Sequence, residues 1–391
     1  MFANHYPSTG FKGGSDVHPI QDMKFFLAHG CSFEIVTSRA GFWLYTQEGA
    51  TENPQVHFKV LRTPGAERIG LALEYFTRTL QALIYSLRVD LSNVDVVKSN
   101  SDWGLFDALP ACIIKLRRRR IVWASVCWHF IDPPFERKGR DDFSATNVLS
   151  FLSQRLMLLL IRLFGDVVFA ETKVVTEAMS TFGITTEKAK IARGAMDSGL
   201  VRQIKSRPKI YDGCYLGRIH PEKGIFDLVK IWRMVCGFLG DEKLLVMGSA
   251  TPQWVEAFKE TVKNEGVRNN VTFVGAVSEI EKYEYLKACK VFLHPSFEDG
   301  LPVTVCEAMA CGLPVVAYEL ATYQDGWMLL DYVKIPVGNK ELFANAVVNL
   351  LSDAGVMERY STGNQEKALE YDFQNRAKSM LTEITKKRFG R

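Results

Sequence analysis

The loop between positions 294 and 302 contains residue types that could bind a phosphorylated ligand. Its last five positions hold two carboxylates, a glycine and the proline that precedes a helix: Glu298, Asp299, Gly300, Leu301 and Pro302. A glycine lets the backbone approach a ligand closely, and a proline suits the first turn of a helix. The first free amides of that helix, near Val303 and Thr304, would form an anion site for a phosphate.

A third carboxylate, Glu307, follows those amides along the same helix face, because it lies three and four positions beyond Thr304 and Val303. Its oxygens could accept hydrogen bonds from vicinal hydroxyls, such as those of a ribose attached to the phosphate. An ordinary α/β loop followed by a helix that begins at a proline would explain the same residues. This segment alone therefore leaves both interpretations open.

A second segment, at positions 211–224, places two cations around a turn. It reads YDGCYLGRIHPEKG: a short strand, then Gly217 and Arg218, and five residues after the arginine, Lys223 followed by Gly224. Two cations that flank a turn before a helix can clamp a diphosphate. A basic turn without a ligand is the alternative for this segment alone. The two segments together favour a site for a nucleoside diphosphate.

A parallel sheet is needed to bring these loops together. The apolar runs at 291–293 and 313–318 are typical of buried strands, and they enclose the helix that follows Pro302. Such a strand–helix–strand unit places its loop at the carboxyl edge of the sheet, where α/β proteins bind ligands. Two further apolar runs, LLVMG ending at Gly248 and VTFVG ending at Gly275, predict neighbouring strands.

Together the two segments resemble glycosyltransferase family 4, the retaining nucleotide-sugar transferases of GT-B fold, of the "glycosyl transferases group 1" type. The family's GR-x4-KG element matches at four residues: Gly217, Arg218, Lys223 and Gly224. Its E-x7-E element matches at the second glutamate, Glu307, whereas the first position is Asp299. Aspartate is one methylene shorter than glutamate, so Glu298 is an alternative contact to the donor sugar.

The resemblance implies an α/β protein of GT-B fold, with two Rossmann-like, doubly wound parallel-sheet domains that face a cleft. Residues 1–203 would form the acceptor-side domain, with a helix at 370–391 packing back on it, and residues 204–369 would bind the nucleotide sugar. The family's first strand is longer than the start of this sequence, so we expect the native N-terminus upstream of Met1.

The resemblance also implies roles for individual residues. Arg218 and Lys223 would neutralise the leaving diphosphate, Glu307 would hold the ribose, and Asp299 and His129 would orient the sugar. The remaining donor contacts implied are the following: Gly13, Gly14, Gly217, Gly248, Val277 near the nucleobase, Glu298, Gly300, Leu301, Pro302 and Val303. The resemblance implies retention without a covalent nucleophile, cofactor or metal. An Asp-x-Asp element after an apolar strand, typical of metal-dependent GT-A transferases, is absent from the sequence.

Composition sets the broader limits. The chain has 391 residues, 47% of them hydrophobic, and a formal net charge of +4. That charge suits anionic small ligands or a membrane surface and is too small to indicate nucleic-acid binding. The eight cysteines show no paired or metal-binding spacing, and the N-terminus is not a signal peptide. We therefore expect a cytoplasmic protein with reduced thiols.

Two helices have strong apolar patterns. In the helix predicted over 68–88, one face carries large apolar residues that we expect in the core: Ile69, Leu73, Phe76, Leu80, Leu83 and Leu87. The segment 148–164 is too interrupted to span a membrane, and Arg155 and Arg162 indicate a polar face. A core or surface helix is the favoured interpretation of this segment, and contact with a membrane interface is the alternative.

Two basic clusters, at 117–120 and at 137–140, suggest an anionic membrane surface as a partner. Such a protein would act peripherally on a glycan or lipid-linked acceptor, although a solvated turn also explains the first cluster. Two rival functions stay open. A sugar-nucleotide epimerase of the same fold would need no acceptor, and a non-catalytic protein would bind the nucleotide sugar without turnover.

Overall fold

The computed structural model describes most of the chain, as the following ranges: 1–3, 14–62, 71–101, 104–128, 130–131, 133, 145–194, 196–299, 302–320, 323 and 331–390. These residues divide into two compact units. The first unit extends to Gly194 and also includes the C-terminal segment from Phe373. The second unit ends at Asp372. The sequence prediction had placed the domain boundary at residue 203.

The first unit is built on a seven-stranded parallel sheet of order β3-β2-β1-β4-β5-β6-β7. Its strands are β1 Phe2–Ala3, β2 Phe33–Ser38, β3 Val56–Leu61, β4 Val96–Ser99, β5 Val122–Cys127, β6 Val167–Ala170 and β7 Ala189–Ile191. Its helices are α1 Gly14–Ala28, α2 Arg39–Gln47, α3 Leu71–Arg88, α4 Leu109–Arg117, α5 Ala145–Phe164, α6 Lys173–Thr181 and the last helix of the chain, α14 Phe373–Phe389. A π-helical turn, Gly104–Ala108, precedes α4.

Helices cover both faces of this sheet, because successive side chains of a buried strand point to opposite sides. In β5, Val122 and Ala124 join a core with residues of α1 and α14. Trp123 and Cys127 join the core on the other face, with residues of α3, α4 and α5. The central strands therefore read as continuous apolar runs.

The second unit contains a six-stranded parallel sheet of order β10-β9-β8-β11-β12-β13. Its strands are β8 Tyr211–Leu216, β9 Leu244–Met247, β10 Val271–Gly275, β11 Cys289–His294, β12 Val315–Tyr318 and β13 Val333–Ile335. Its helices are α7 Ser198–Gln203, α8 Ile225–Leu239, α9 Pro252–Asn264, α10 Glu279–Lys287, α11 Val303–Ala310, α12 Lys340–Ser352 and α13 Ala354–Leu369. The strand order reverses between β8 and β11, which makes their carboxyl ends the switch point where such sheets bind ligands.

The prediction for α3 was wrong about which face is buried. Leu73, Phe76, Leu80 and Leu87 are all exposed, with 65% of Phe76 accessible to solvent. Leu83 is half-buried, and Ile69 lies outside the described residues. The buried residues of this helix are small, polar or aromatic: Glu74, Tyr75, Arg78, Thr79, Ala82 and Ser86. Apolar periodicity identified the stripe but not its direction, because the opposite charges Glu74 and Arg78, one turn apart, can be buried together.

Helix α5 buries both apolar and polar residues. Met157, Leu158 and Ile161 are fully buried, and Ser150, Ser153 and Gln154 are buried as well. The exposed apolar residues are four leucines: Leu149, Leu152, Leu159 and Leu163. Arg155 does not mark a solvated face as predicted, because its guanidinium lies over the rings of Phe130, Phe151 and Phe182, at 4.3–4.8 Å from their centroids. Arg162 is exposed. Within the described ranges, no helix is long and apolar enough to cross a membrane.

A buried ionic network fixes α14 to the first unit. Arg376, only 1% exposed, forms an ion pair with Asp22 of α1 and lies 5.1 Å from the ring centroid of Trp128. Lys98 of β4 reaches the other oxygen of the same carboxylate at 2.8 Å. Burial raises the pKa of Asp22, but the two cations outweigh it and lower the pKa to about 2. The Asp22 carboxylate is therefore ionised and paired at neutral pH.

Removal of the Arg376 charge should destabilise the first unit. Arg376→Met leaves Asp22 with one cation in a buried site, which we expect to lower the free energy of unfolding by about 3–5 kcal/mol. Lys386→Met is the matched control on the same helix, because Lys386 makes an exposed ion pair with Glu383 and its loss should cost less than about 1 kcal/mol. Urea unfolding followed by tryptophan fluorescence measures both; equal midpoints would contradict a structural role for Arg376.

Candidate active site

Three loops of the second unit meet at the switch point of its sheet. They follow the neighbouring strands β8, β9 and β11, whose carboxyl ends lie at one edge. The amide of Gly217 donates to the carbonyl of Met247 at 3.1 Å, and the amide of Ile219 donates to the carbonyl of Ser249 at 2.9 Å. The loop after β8 is thus bonded to the end of β9 and to the loop that follows it.

Two glycines permit this close approach. A Cβ added at Gly248 would lie 1.7 Å from the carbonyl oxygen of Gly217, and one added at Gly224 would lie 1.7 Å from that of Pro295. Both residues also have positive φ, of 149° and 68°, which L side chains rarely adopt. Glycine at these two positions lets the β8 loop touch both neighbouring loops through the backbone.

Hydrogen bonds from the third loop hold the turn Pro221–Lys223 in place. The carbonyl of Glu222 accepts from the amide of Phe297 at 2.9 Å and from Oγ of Ser296 at 3.4 Å. The Lys223 ammonium donates to the carbonyl of Glu298 at 2.7 Å. The two sequence segments that suggested a nucleotide site are therefore one continuous structure.

Lys223 and Asp299 form an ion pair at the centre of this structure. Lys223 Nζ lies 2.7 Å from Oδ1 of Asp299, and Nε2 of His294 lies 3.0 Å from Oδ2. Burial would raise the pKa of Asp299, but Lys223 and His294 outweigh it and hold that pKa below its ordinary value. Asp299 is therefore a half-buried, ionised carboxylate, and a diphosphate bound here would share Lys223 with it.

His294 is a site residue that the sequence analysis did not select. It is the last residue of β11 and is buried, and its Nε2 also lies 3.2 Å from the hydroxyl of Tyr323. Its Nδ1 is buried and has no hydrogen-bond partner among the described residues. The available signal was a polar residue that ends the apolar run VFLH at the edge where ligands bind.

Arg218 presents an accessible cation beside this cluster. Its backbone carbonyl accepts a 2.9 Å hydrogen bond from the hydroxyl of Tyr215, which fixes the position of the residue. Its side chain is exposed, and no carboxylate in the described part of the chain pairs with its guanidinium. The guanidinium is therefore available to an anionic ligand.

The amino terminus of α11 offers backbone donors at the same edge. Pro302 caps the helix, and the first bond within it runs from the amide of Val305 to the carbonyl of Pro302 at 3.0 Å. The amides of Val303 and Thr304 precede that bond, and no acceptor within the described ranges bonds to them. These free donors and the helix dipole favour an anion.

Glu307 is held by a second lysine. It is 4% exposed, and its Oε1 accepts from Nζ of Lys282 at 2.6 Å and from the hydroxyl of Tyr283 at 3.2 Å. Burial raises the pKa of Glu307. The carboxylates of Glu307 and Glu279 overcome the effect of burial on Lys282 and raise its pKa, so the lysine is charged. No residue in the described set bonds to Oε2 of Glu307.

No sequence pattern indicated Lys282, because it lies on a helix rich in charged residues and resembles an ordinary surface lysine. Among the other predicted site residues, Val277 is half-buried after β10, and Gly14 begins α1 in the first unit. Four predicted residues lie outside the described ranges: Gly13, His129, Gly300 and Leu301.

The need for glycine at position 224 can be tested with Gly266, a second glycine of similar φ, as the control. Gly224→Ala should lower the free energy of unfolding by about 2–5 kcal/mol, through left-handed strain and the contact with Pro295. Gly266 has a similar φ, 73°, with nothing within 4 Å of an added Cβ, so Gly266→Ala should cost only about 1–2 kcal/mol of strain. Chemical unfolding compares the two variants, and similar losses would argue against the loop contact.

Residues 211–353 match the family model of the glycosyl transferases group 1. An uncharacterized glycosyltransferase of Haemophilus influenzae is 30% identical over 104 residues, which cover 27% of this chain and 28% of that protein. The phosphatidyl-myo-inositol mannosyltransferase of Mycobacterium leprae is 27% identical over 164 residues, covering 41% of this chain and 42% of that protein. The chain thus spans less than half the length of these two relatives.

The fold agrees over nearly the whole chain. The structure of Anabaena HepE in complex with UDP and glucose superposes with a TM-score of 0.72 at 16% identity, covering 98% of both chains. Likeness at this identity shows the fold alone. The predicted α/β fold with a parallel sheet in each of two domains is confirmed. The family match thus covers residues 211–353, and the chain has the fold of the GT-B glycosyltransferases.

Proposed function

We propose that this protein is a retaining glycosyltransferase of family 4. It moves a sugar, a hexose in our proposal, from a nucleoside diphosphate to a hydroxyl of a glycan or lipid-linked acceptor in the cytoplasm. One observation carries the proposal: an exposed arginine, a lysine–aspartate pair and a helix amino terminus meet at the switch point of the second sheet. The presence of UDP and glucose in the HepE structure supports a nucleotide-sugar donor.

The diphosphate binds at the amino terminus of α11 in this proposal. The amides of Val303 and Thr304 bind its oxygens, and Arg218 neutralises the charge that grows as the bond between sugar and phosphate breaks. Because Arg218 has no carboxylate partner in the described residues, its charge needs no rearrangement before it acts. This supply of positive charge makes a divalent metal unnecessary.

The sugar lies against Asp299 in this proposal. Its ionised carboxylate accepts hydrogen bonds from sugar hydroxyls, while Lys223 and His294 keep it charged and oriented. Asp299 stands where the family has glutamate, and Glu298 is the alternative contact. Retention places the acceptor on the face that the diphosphate leaves, so no side chain acts as a covalent nucleophile. His129 is the contact expected from the first unit.

The ribose binds Glu307. Its Oε1 is occupied by Lys282 and Tyr283, and Oε2 accepts hydrogen bonds from the vicinal hydroxyls. The ion pair with Lys282 favours the ionised form of the carboxylate, whereas burial raises its pKa. Lys282 is a positioning residue, since it acts through Glu307.

A thermal-shift screen of nucleotides and nucleotide sugars tests the proposal and identifies the donor, because a bound ligand raises the melting temperature by mass action. The stabilising nucleotide sugar is then incubated with glycan and lipid-linked acceptors, and released nucleoside diphosphate and glycosylated product are both measured. Conversion of the donor sugar without an acceptor would favour the epimerase. Stabilisation without any turnover would favour the non-catalytic protein.

Kinetics should separate the roles of Glu307 and Arg218. A carboxylate on the ribose binds substrate and transition state about equally, so Glu307→Gln should raise the donor KM about tenfold and leave kcat nearly unchanged. Arg218→Ala should lower kcat about a hundredfold, because its contact strengthens as the bond breaks. Steady-state rates at saturating acceptor measure both. The reverse pattern would place Glu307 on the reacting sugar.

Activity should survive removal of divalent metals. In the proposed mechanism, Arg218 and the α11 amides stabilise the negative charge of the diphosphate without a metal ion. Turnover after dialysis against EDTA should therefore stay within about twofold of the untreated enzyme. The control is a parallel sample with added manganese. Loss of activity that manganese restores would contradict the proposed role of these groups.

A further inference from the structure

Helices α3, α4 and α5 form one continuous layer on a single face of the first sheet. Helix α3 packs against α4, and the turn Gly104–Ala108 packs against both α3 and α5. Their inward side chains, such as Ala82, Ala111 and Met157, share one core with Trp123 of β5. The outward sides of the three helices therefore belong to one surface of this unit.

That surface carries many large apolar side chains. Helix α3 contributes Leu73, Phe76, Leu80, Ile84 and Leu87, each at least 40% exposed and spaced by three or four residues into one stripe. Helix α5 contributes the four exposed leucines named above, and α4 adds Leu116. We call these outward side chains the apolar face. Single exposed apolar residues are ordinary, but a patch of this size marks an interaction surface.

The charges on this layer are of one sign where they meet solvent. Across the three helices and the π-helical turn, the only acidic residues in the sequence are Glu74 and Asp107, and both side chains are buried. Arg88, Arg117 and Arg162 are exposed. A partner of this surface therefore meets apolar and cationic groups without an opposing carboxylate from these helices.

The arginine run lies at the carboxyl end of α3, beside this face. Arg117 donates to the carbonyl of Ser86 at 2.6 Å, and Arg118 donates to that of Ser92 at 2.8 Å. These bonds anchor the run next to Arg88 and Leu87, and all four arginines at 117–120 are exposed. The predicted basic cluster is thus joined to an apolar stripe that the sequence analysis had placed in the core.

We infer that the apolar face binds the interface of a phospholipid bilayer that contains anionic head groups. Apolar side chains would enter the boundary between head groups and acyl chains, and the arginines would contact lipid phosphates. Charge favours this partner over a second copy of the chain, because the exposed charges of the three helices are all cationic and would repel each other across two copies. Asp90, which follows α3, is the acidic residue beside the arginine run, and it interacts with Arg118. The inference does not rest on the proposed reaction, since it concerns the first unit and predicts binding without any donor.

Flotation of the full-length chain with vesicles tests the inference. The protein should bind vesicles of equal parts phosphatidylcholine and phosphatidylglycerol, and bind pure phosphatidylcholine at least about tenfold more weakly. Phe76→Glu should weaken binding to the mixed vesicles about tenfold or more, because it replaces an inserted ring with a repelled carboxylate. Phe238→Glu is the matched control: Phe238 is 66% exposed against 65% for Phe76, and it lies on α8 of the second unit.

A second pair of variants tests the arginines. Arg88→Gln combined with Arg120→Gln should weaken vesicle binding about tenfold. The control is Arg268→Gln combined with Lys205→Gln, which removes the same charge from exposed positions in the second unit. This control should change vesicle binding less than about twofold. Unchanged melting temperatures show that the variants fold. The inference is overturned by absence of binding at low salt, by equal effects of Phe76→Glu and Phe238→Glu, or by a dimer in sedimentation that Phe76→Glu dissociates.

Discussion

The candidate site depends on backbone approaches that only glycine allows. The carbonyls of Gly217 and Pro295 lie so close to Gly248 and Gly224 that a single Cβ at either position would overlap them. Because of these contacts, the loop after β8 reaches both neighbouring loops, and Lys223 comes within hydrogen-bond distance of Asp299. Ionisable groups on separate strands can share one small site only when the loops between them approach this closely.

The same edge gives a half-buried carboxylate, Asp299, and a buried one, Glu307, different properties. Asp299 is flanked by Lys223 and His294, and its pKa is held below the ordinary value. Glu307 is more deeply buried, Lys282 is the only cation that bonds to it among the described residues, and burial raises its pKa. Each carboxylate is paired with a lysine, because an unpaired buried charge would cost several kcal/mol. Both pairs thus prepare an acceptor for ligand hydroxyls before any ligand binds.

Local sequence patterns predicted the strand and the helix that carry this site. The strand before Arg218 and the helix that begins after Pro302 follow from apolar runs and from a proline that suits the start of a helix. His294 and Lys282 were missed because their importance arises from contacts with Asp299 and Glu307 that tertiary structure creates. Similarly, the sequence of α3 predicted a strong apolar stripe. Periodicity alone does not determine whether such a stripe faces the core or the solvent.

The inner side of α3 is filled by other residues. In its carboxyl-terminal half that side carries the small residues Ala82 and Ser86, which allow close approach to Ala111 of α4. In its amino-terminal half it carries Glu74, Tyr75 and Arg78, so these side chains occupy the space that leucines would fill. The large apolar residues lie outward, where they add nothing to the core. These apolar residues are exposed, and the same helices carry no exposed acidic residue. We infer that they contribute to an interaction outside this unit.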